Sequence, residues 1–161
     1  MPSAQNLEDL YSQELGDLIS ANQQMVKIVD QMSGRATDPK LKQLLERSVQ
    51  GIDQHTTTLQ SLLSGSQSTE CRAMQGLVEE ATRHAINADL PPQLRDVAMI
   101  AHYQRMSHYG VAGFGTAAAY ANALGKTDDA NKLKQIVADI YRADEYSSQL
   151  AENTERAVSN K

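Results

Sequence analysis

The 161 residues carry 20 Asp and Glu against 15 Lys and Arg, a net charge of −5, which argues against the basic face that nucleic-acid binding requires. No apolar run approaches the roughly 20 residues of a membrane span, and MPSAQNLEDLYSQEL lacks the basic-then-apolar pattern of a leader, so the chain reads as cytoplasmic, with neither nucleic acid nor membrane as partner. Cys71 is the single cysteine, which excludes an internal disulfide, and the length suits one domain spanning 1–161.

The first long helix is predicted from an N-cap at Asn6, with Asp9 three residues on, to about Met32. Leu7, Tyr11, Leu15, Leu18, Met25, Val29 and Met32 make its apolar stripe, and Glu14 and Asn22 fall inside that stripe. Ser33-Gly34 ends it. Asp38-Pro39 is a strong start for the second, with Asp as N-cap and Pro at the first helical position. Leu41, Leu45, Val49, Ile52, Leu59 and Leu63 define its face, with His55 and Thr56 within it, and Gly65-Ser66 closes it.

A connection from about Ser64 to Asp89 follows, too long for a tight turn between antiparallel neighbours. It holds a shorter helical pattern, CRAMQGLVEEATRHA. Pro91-Pro92 starts the third long helix and Gly125 ends it. Its small and apolar residues place Leu94, Ala98, Ala101, His108, Ala112, Gly115, Ala119 and Ala123 on one face, with His108 near the centre. Thr127 or Asp128 caps the fourth, whose face carries Leu133, Ile136, Val137, Ile140, Ala143, Leu150, Ala151 and Val158, with Asp144 and Ser147 among them. Four long helices with one long crossover predict an all-α, ferritin-like four-helix bundle, the crossover carrying a short fifth helix.

Asn22, His55, His108 and Asp144 each lie near the middle of their helix, so antiparallel packing predicts one polar layer at mid-bundle. Dinuclear sites of this fold class use a Glu from each of two helices and Glu-x-x-His from each of the other two. This layer is poor in carboxylates: Asp144 is the clear one, and Asp139, toward the edge of its stripe, and Glu14 come next. Two readings stay open. His55, His108 and Asp144, assisted by Asp139 or Glu14, hold iron or another divalent ion; or, with no cofactor, they form a hydrogen-bonded cluster with Asn22, Thr56 and Gln104, and Arg105 neutralises Asp144 or Glu14.

Three stretches carry a resemblance to a known family: Glu14-Leu15-Gly16-Asp17-Leu18 through Gln24; Cys71, Ala73, Met74, Gly76, Leu77, Glu79 and Glu80 in the crossover; and His108-Tyr109, Ala112, Phe114-Gly115 and Leu124-Gly125. Over almost its whole length the chain resembles the bacterial ferritin-like, stress-associated proteins of the YciE/YciF type. The resemblance implies a ferritin-like bundle, a homodimer, a di-iron-type site and no settled activity. Departures stand at the family's ligand positions. Asn22 replaces a Glu, and Gly51 and His55 stand near a family His or Glu and a Thr. Ser107, His108, Tyr109 and Gly110 replace a Glu–His–Tyr–Glu run, and Asp139-Ile140 replaces paired Glu residues, with Asp144 retained. The chain therefore reads as a divergent member with a degenerate di-metal site, non-catalytic rather than an enzyme.

Other signals take bland readings beside sharper ones. Cys71 is read as a buried or helix-terminal residue, His84 as solvated surface, and His102 as lying at the edge of the bundle. Gly110, Gly113 and Gly115 each weaken a helix by about 1 kcal/mol relative to Ala. Close helix packing or a dimer contact accounts for them, or else a pocket left where carboxylates are missing. Tyr103, Tyr109, Tyr120, Tyr141 and Tyr146 are candidate dimer contacts or core-edge residues.

Overall fold

The computed structural model describes residues 3–65 and 69–159, and places five α-helices among them: α1 (Leu7–Arg35), α2 (Pro39–Leu62), α3 (Arg72–Ala81), α4 (Pro92–Ala123) and α5 (Thr127–Ser159). A π-helical turn, Thr82–Ile86, follows α3. The helix starts follow their caps. Asn6 Oδ1 accepts from the Asp9 amide at 2.9 Å, and Asp38 Oδ1 accepts from the Lys40 amide at 2.7 Å, with Pro39 in the first turn. Gly125, at φ +74°, makes the tight turn into α5. Helix α1 runs through Ser33-Gly34 to Arg35, past its expected end. Ser66, expected to help close α2, lies outside the described residues.

Around the bundle the packed neighbours are α1–α2, α2–α5, α5–α4 and α4–α1, with α3 laid over the α1/α4 groove. Ser48 meets Tyr103 while His55 meets Asp139, so α2 is antiparallel to α5 and runs parallel to its diagonal partner α4. That topology explains the long crossover: the chain leaves α2 at one end and must enter α4 at the other. Asp96 ties the first link of the bundle from α4. It is 2 % exposed and accepts from the Thr37 amide (3.0 Å), the Thr37 hydroxyl (2.6 Å) and the Asp38 amide (3.0 Å). Arg95 beside it donates to the Ala85 and Ala88 carbonyls, at 3.2 and 2.8 Å, and so holds the end of the crossover.

The core divides into two clusters. One gathers Met25, Val29, Met32, Leu41, Leu45, Met74, Met99, Ile100 and Met106; the other gathers Tyr11, Leu15, Leu18, Leu59, Phe114, Leu133 and Ile136. The expected stripes of α1, α2 and α5 face these clusters. The face expected for α4 does not. Met99, Tyr103, Met106, Gly113, Phe114, Ala117 and Ala121 are buried, whereas Leu94, His108, Ala112, Gly115, Ala119 and Ala123 are exposed. Small apolar residues occur all round this helix, so periodicity selects no face; volume does, and the large side chains Met99, Tyr103, Met106 and Phe114 point inward. Among the described residues no helix is long and apolar enough to cross a membrane.

Candidate functional site

Between the two core clusters the packing opens into a cavity of about 390 Å³. Its inner wall is apolar: Leu18, Ala21 and Met25 from α1, Ile52 from α2, Met74 from α3, Met106 and Phe114 from α4. Its outer wall lies between α2 and α5, the most loosely packed side of the bundle, where exposed Arg47, Gln54, Arg142 and Tyr146 rim it. Three features leave the space open. Gly51 and Gly110 contribute no side chain, and a Cβ at Gly51 would meet nothing within 4 Å. Ser107, buried, is small and folds back to donate to the Tyr103 carbonyl at 2.9 Å.

The polar groups around the cavity are almost all paired. The Ser48 and Tyr103 hydroxyls lie 2.7 Å apart, and Tyr109 donates to Asp17 at 2.5 Å. Burial raises the pKa of both tyrosines; Asp17 and Cys71 add to the rise at Tyr109, and at Tyr103 the bonds to Ser48 and Ser107 oppose it. Among the buried ones Asn22 is the exception. It is 7 % exposed, and its Nδ2 is the one buried side-chain polar atom without a hydrogen-bond partner among the described residues. An amide N–H left unbonded in such a place costs about 1–3 kcal/mol.

The candidate ligands separate into two pairs and one isolated acid. His55 Nε2 lies 3.1 Å from Asp139 Oδ2 at the cavity rim. His108 Nε2 lies 3.0 Å from Asp144 Oδ2, with the His108 side chain 54 % exposed, and neither residue lines the cavity. The expectation that His108 is central to the inner face is corrected: it lies about 200° round α4 from Met106, on the outer side. Asp139 and Asp144 are about 140° apart around α5, so they cannot share one small site. Glu14 sits elsewhere, close to Gly113, where burial and then Asp17 raise its pKa. Gln104 bonds Asp144 (3.1 Å) and Ser148 (2.9 Å), and Thr56 donates to the Ile52 carbonyl rather than joining a cluster. Arg105 neutralises neither Asp144 nor Glu14. It is exposed and lies against the His102 ring, which is buried and stacked on His84 at 6.2 Å.

A residue absent from the sequence expectations, Arg142, completes the rim. It donates to Asp139 Oδ1, as does Gln135 at 3.1 Å. Burial tends to raise the Asp139 pKa, but the bonds from His55, Gln135 and Arg142 outweigh it and hold the carboxyl below its ordinary value. These donors do not fit a dinuclear metal centre. The cavity faces Asn22, Gly51, Ser107, Gly110 and Ile140 supply no carboxylate, and Asp139 already carries a guanidinium. Among the described residues no three His, Cys, Asp or Glu side chains converge on a point that could hold an ion.

The crossover docks beside the cavity through a network that sequence reading did not find. Cys71 caps α3, its Sγ accepting from the Met74 amide at 3.4 Å, and its thiol donates to Tyr109 Oη at 3.1 Å. The Cys71 amide donates to Ser20 Oγ (2.9 Å), and Gln24 Nε2 donates to the Cys71 carbonyl (3.1 Å). Burial is the largest cause of the raised Cys71 pKa, opposed by the Tyr109 and Met74 bonds. Tyr103 is thus buried and Tyr109 is partly buried with its hydroxyl bonded inward, whereas Tyr141 and Tyr146 are exposed.

Four long helices, a crossover helix lying in one groove and a mid-bundle opening define a ferritin-like protein. Within that class the chain belongs to the family described as a domain of unknown function, DUF892, which it matches over residues 6–159. It is 27 % identical to the protein YciF of Escherichia coli (strain K12), over 96 % of each chain. The crystal structure of the E. coli stress protein YciF superposes with a TM-score of 0.90 at 26 % identity, covering 95 % of this chain and 99 % of that one. YcfI, a putative structural protein from Rhodopseudomonas palustris, gives a TM-score of 0.84 at 27 % identity, covering 91 % and 96 %.

Proposed function

We propose that this chain is a stress-associated, non-catalytic member of its family that acts in the cytoplasm as a structural or interaction protein and holds no resident metal. The observation that carries the reading is the wall at mid-bundle: Gly51, Ser107, Gly110 and Ile140 face the opening, and the one carboxylate at its rim, Asp139, is bonded to His55, Gln135 and Arg142. Two cations there would lack the negative charge that offsets the loss of their hydration. The likeness to a stress protein and to a putative structural protein supports the same reading. Exposed Tyr141 and Tyr146 on α5 favour self-association of the bundle as a homodimer.

Elemental analysis of untagged protein from cells grown with iron, manganese and zinc tests it. The expected result is well under one ion per chain and no oxygen uptake on adding ferrous iron. Two irons per chain would overturn the proposal. One ion per chain, lost in His55→Ala, would replace it with a mononuclear metal-binding protein.

A further inference from the structure

We infer that the mid-bundle cavity binds a small aliphatic monocarboxylate, with the chain inside and the carboxylate on Arg47 at the mouth. Charge sets the head group. Arg47 and Arg142 both line the cavity, and among the described residues Asp139 is the one carboxylate of its wall, in a chain of net charge −5. Arg142 donates to that Asp139, which also lies 3.1 Å from His55 Nε2. Arg47 is in no ion pair among the described residues. One turn away from it on α2 stand Gln43, Leu44, Gln50 and Gly51, none of them acidic. The mouth therefore carries one guanidinium in excess. A guanidinium grips a carboxylate through two parallel N–H bonds, and at an exposed rim both groups keep part of their hydration.

The interior sets the body of the ligand. Met25, Met74 and Met106 line it with Leu18, Ile52 and Phe114, and unbranched thioether side chains adapt to a flexible chain. About 390 Å³ lies within the range of pockets that enclose small ligands. A second charge on the ligand would have to enter this apolar space without a partner, which confines the class to monocarboxylates. Entry lies between α2 and α5, where Arg47, Gln54 and Tyr146 are exposed. The inference rests on the metal-free reading of the same space.

The test titrates hexanoate, octanoate, octylammonium and 1-octanol into the protein by calorimetry and NMR. Octanoate should bind one to one, about tenfold more tightly than hexanoate because two more methylenes leave water. Octylammonium, of equal length and opposite charge, should bind more weakly than octanoate although the whole chain is acidic. Arg47→Gln should weaken octanoate about threefold to tenfold and leave 1-octanol within about twofold, whereas Arg47→Lys keeps most of the octanoate affinity. Gly51→Phe places a ring on the wall where a Cβ meets nothing within 4 Å, and should abolish octanoate binding while unfolding in urea stays cooperative.

No saturable octanoate binding would overturn the inference. So would equal or tighter binding of octylammonium, or an octanoate affinity that Arg47→Gln changes by less than twofold. Unchanged binding in folded Gly51→Phe would place the chain outside the cavity and overturn it too. Should Gly51→Phe not fold, Arg47→Gln, at an exposed position, decides with the octylammonium comparison. Metal is measured on the same batch. Metal-free protein that fails these tests sinks this inference and leaves the proposed function standing; two irons per chain sink the function itself.

Discussion

Tyr109 on α4 donates its phenolic proton to Asp17 on α1 at 2.5 Å while accepting the Cys71 thiol proton at 3.1 Å. One hydroxyl therefore joins two long helices to the N-cap of the crossover helix. Tyr109→Phe leaves a half-buried carboxylate without its donor and the thiol without its acceptor. Bonds to charged groups contribute about 1.5–3 kcal/mol, so a loss of that order is expected in urea unfolding. The loosened α3 should also expose Cys71, and the rate of its modification by a thiol reagent should rise. An unchanged rate would show that α3 is held by packing alone.

Asp96 closes the first interhelical link by accepting three hydrogen bonds from Thr37 and Asp38. Asp96→Ala removes every acceptor and leaves two backbone amides to find water. We expect a destabilisation of about 2–4 kcal/mol, with α1 and α2 fraying at Arg35–Pro39. Amide hydrogen exchange at Thr37 and Asp38 reads the local part directly.

Gly113 and Gly115 are two residues apart and should respond to alanine with opposite signs. A Cβ at Gly113 would lie 2.6 Å from Leu18 Cδ2 and 3.2 Å from Glu14 Oε1, and Leu18 is fully buried. Overpacking costs about 1–3 kcal/mol and the helix gains about 1 kcal/mol, so Gly113→Ala should lose up to about 2 kcal/mol. At Gly115 a Cβ meets nothing within 4 Å, and Gly115→Ala should gain about 0.5–1 kcal/mol. Thermal melts of the two variants check the pair.

Two carboxyls give opposite pH responses. The Asp139 pKa is lowered, so its contribution is present above the ordinary Asp value and is lost as pH falls through the lower, folded value. Glu14 is raised, so folding favours its protonated form, and stability falls as pH rises from the ordinary Glu value through the folded one. Glu14→Gln should therefore be more stable than the parent at pH 7 and lose that advantage near pH 4. Asp139→Asn should be less stable at pH 7 and converge with the parent in acid. Urea titrations across this range separate the two; parallel curves for either variant would contradict its assignment.

The elements on which large apolar residues repeat on one side only were legible in the sequence. The stripes of α1, α2 and α5, the Asn6 and Asp38 caps and the long crossover all follow from local chemistry, and the ferritin-like fold follows from them. The orientation of α4 was not, because Ala98, Ala101, Ala112 and Ala119 make its outer side as apolar as its inner. That one rotation moved His108 out of the centre and, with it, the four-membered polar layer. Asp96 and the Tyr109–Cys71 contact left no local signal, since their partners lie 38 to 59 residues away. Gly51, Ser107, Gly110 and Ile140, which the resemblance singled out as departures, line the opening.

The parallel run of α2 and α4 has a kinetic consequence. Helices α1 and α2, and likewise α4 and α5, meet through short links, so each hairpin can collapse on sequence-local contacts in the microsecond-to-millisecond range. Joining the hairpins requires closure of the whole crossover, a step whose entropy grows slowly with chain length, by about 0.6 kcal/mol for each doubling. Joining the hairpins brings together α1 with α4, α2 with α5, and α3 with Ser20 and Tyr109, and lengthening the connection should slow folding only modestly.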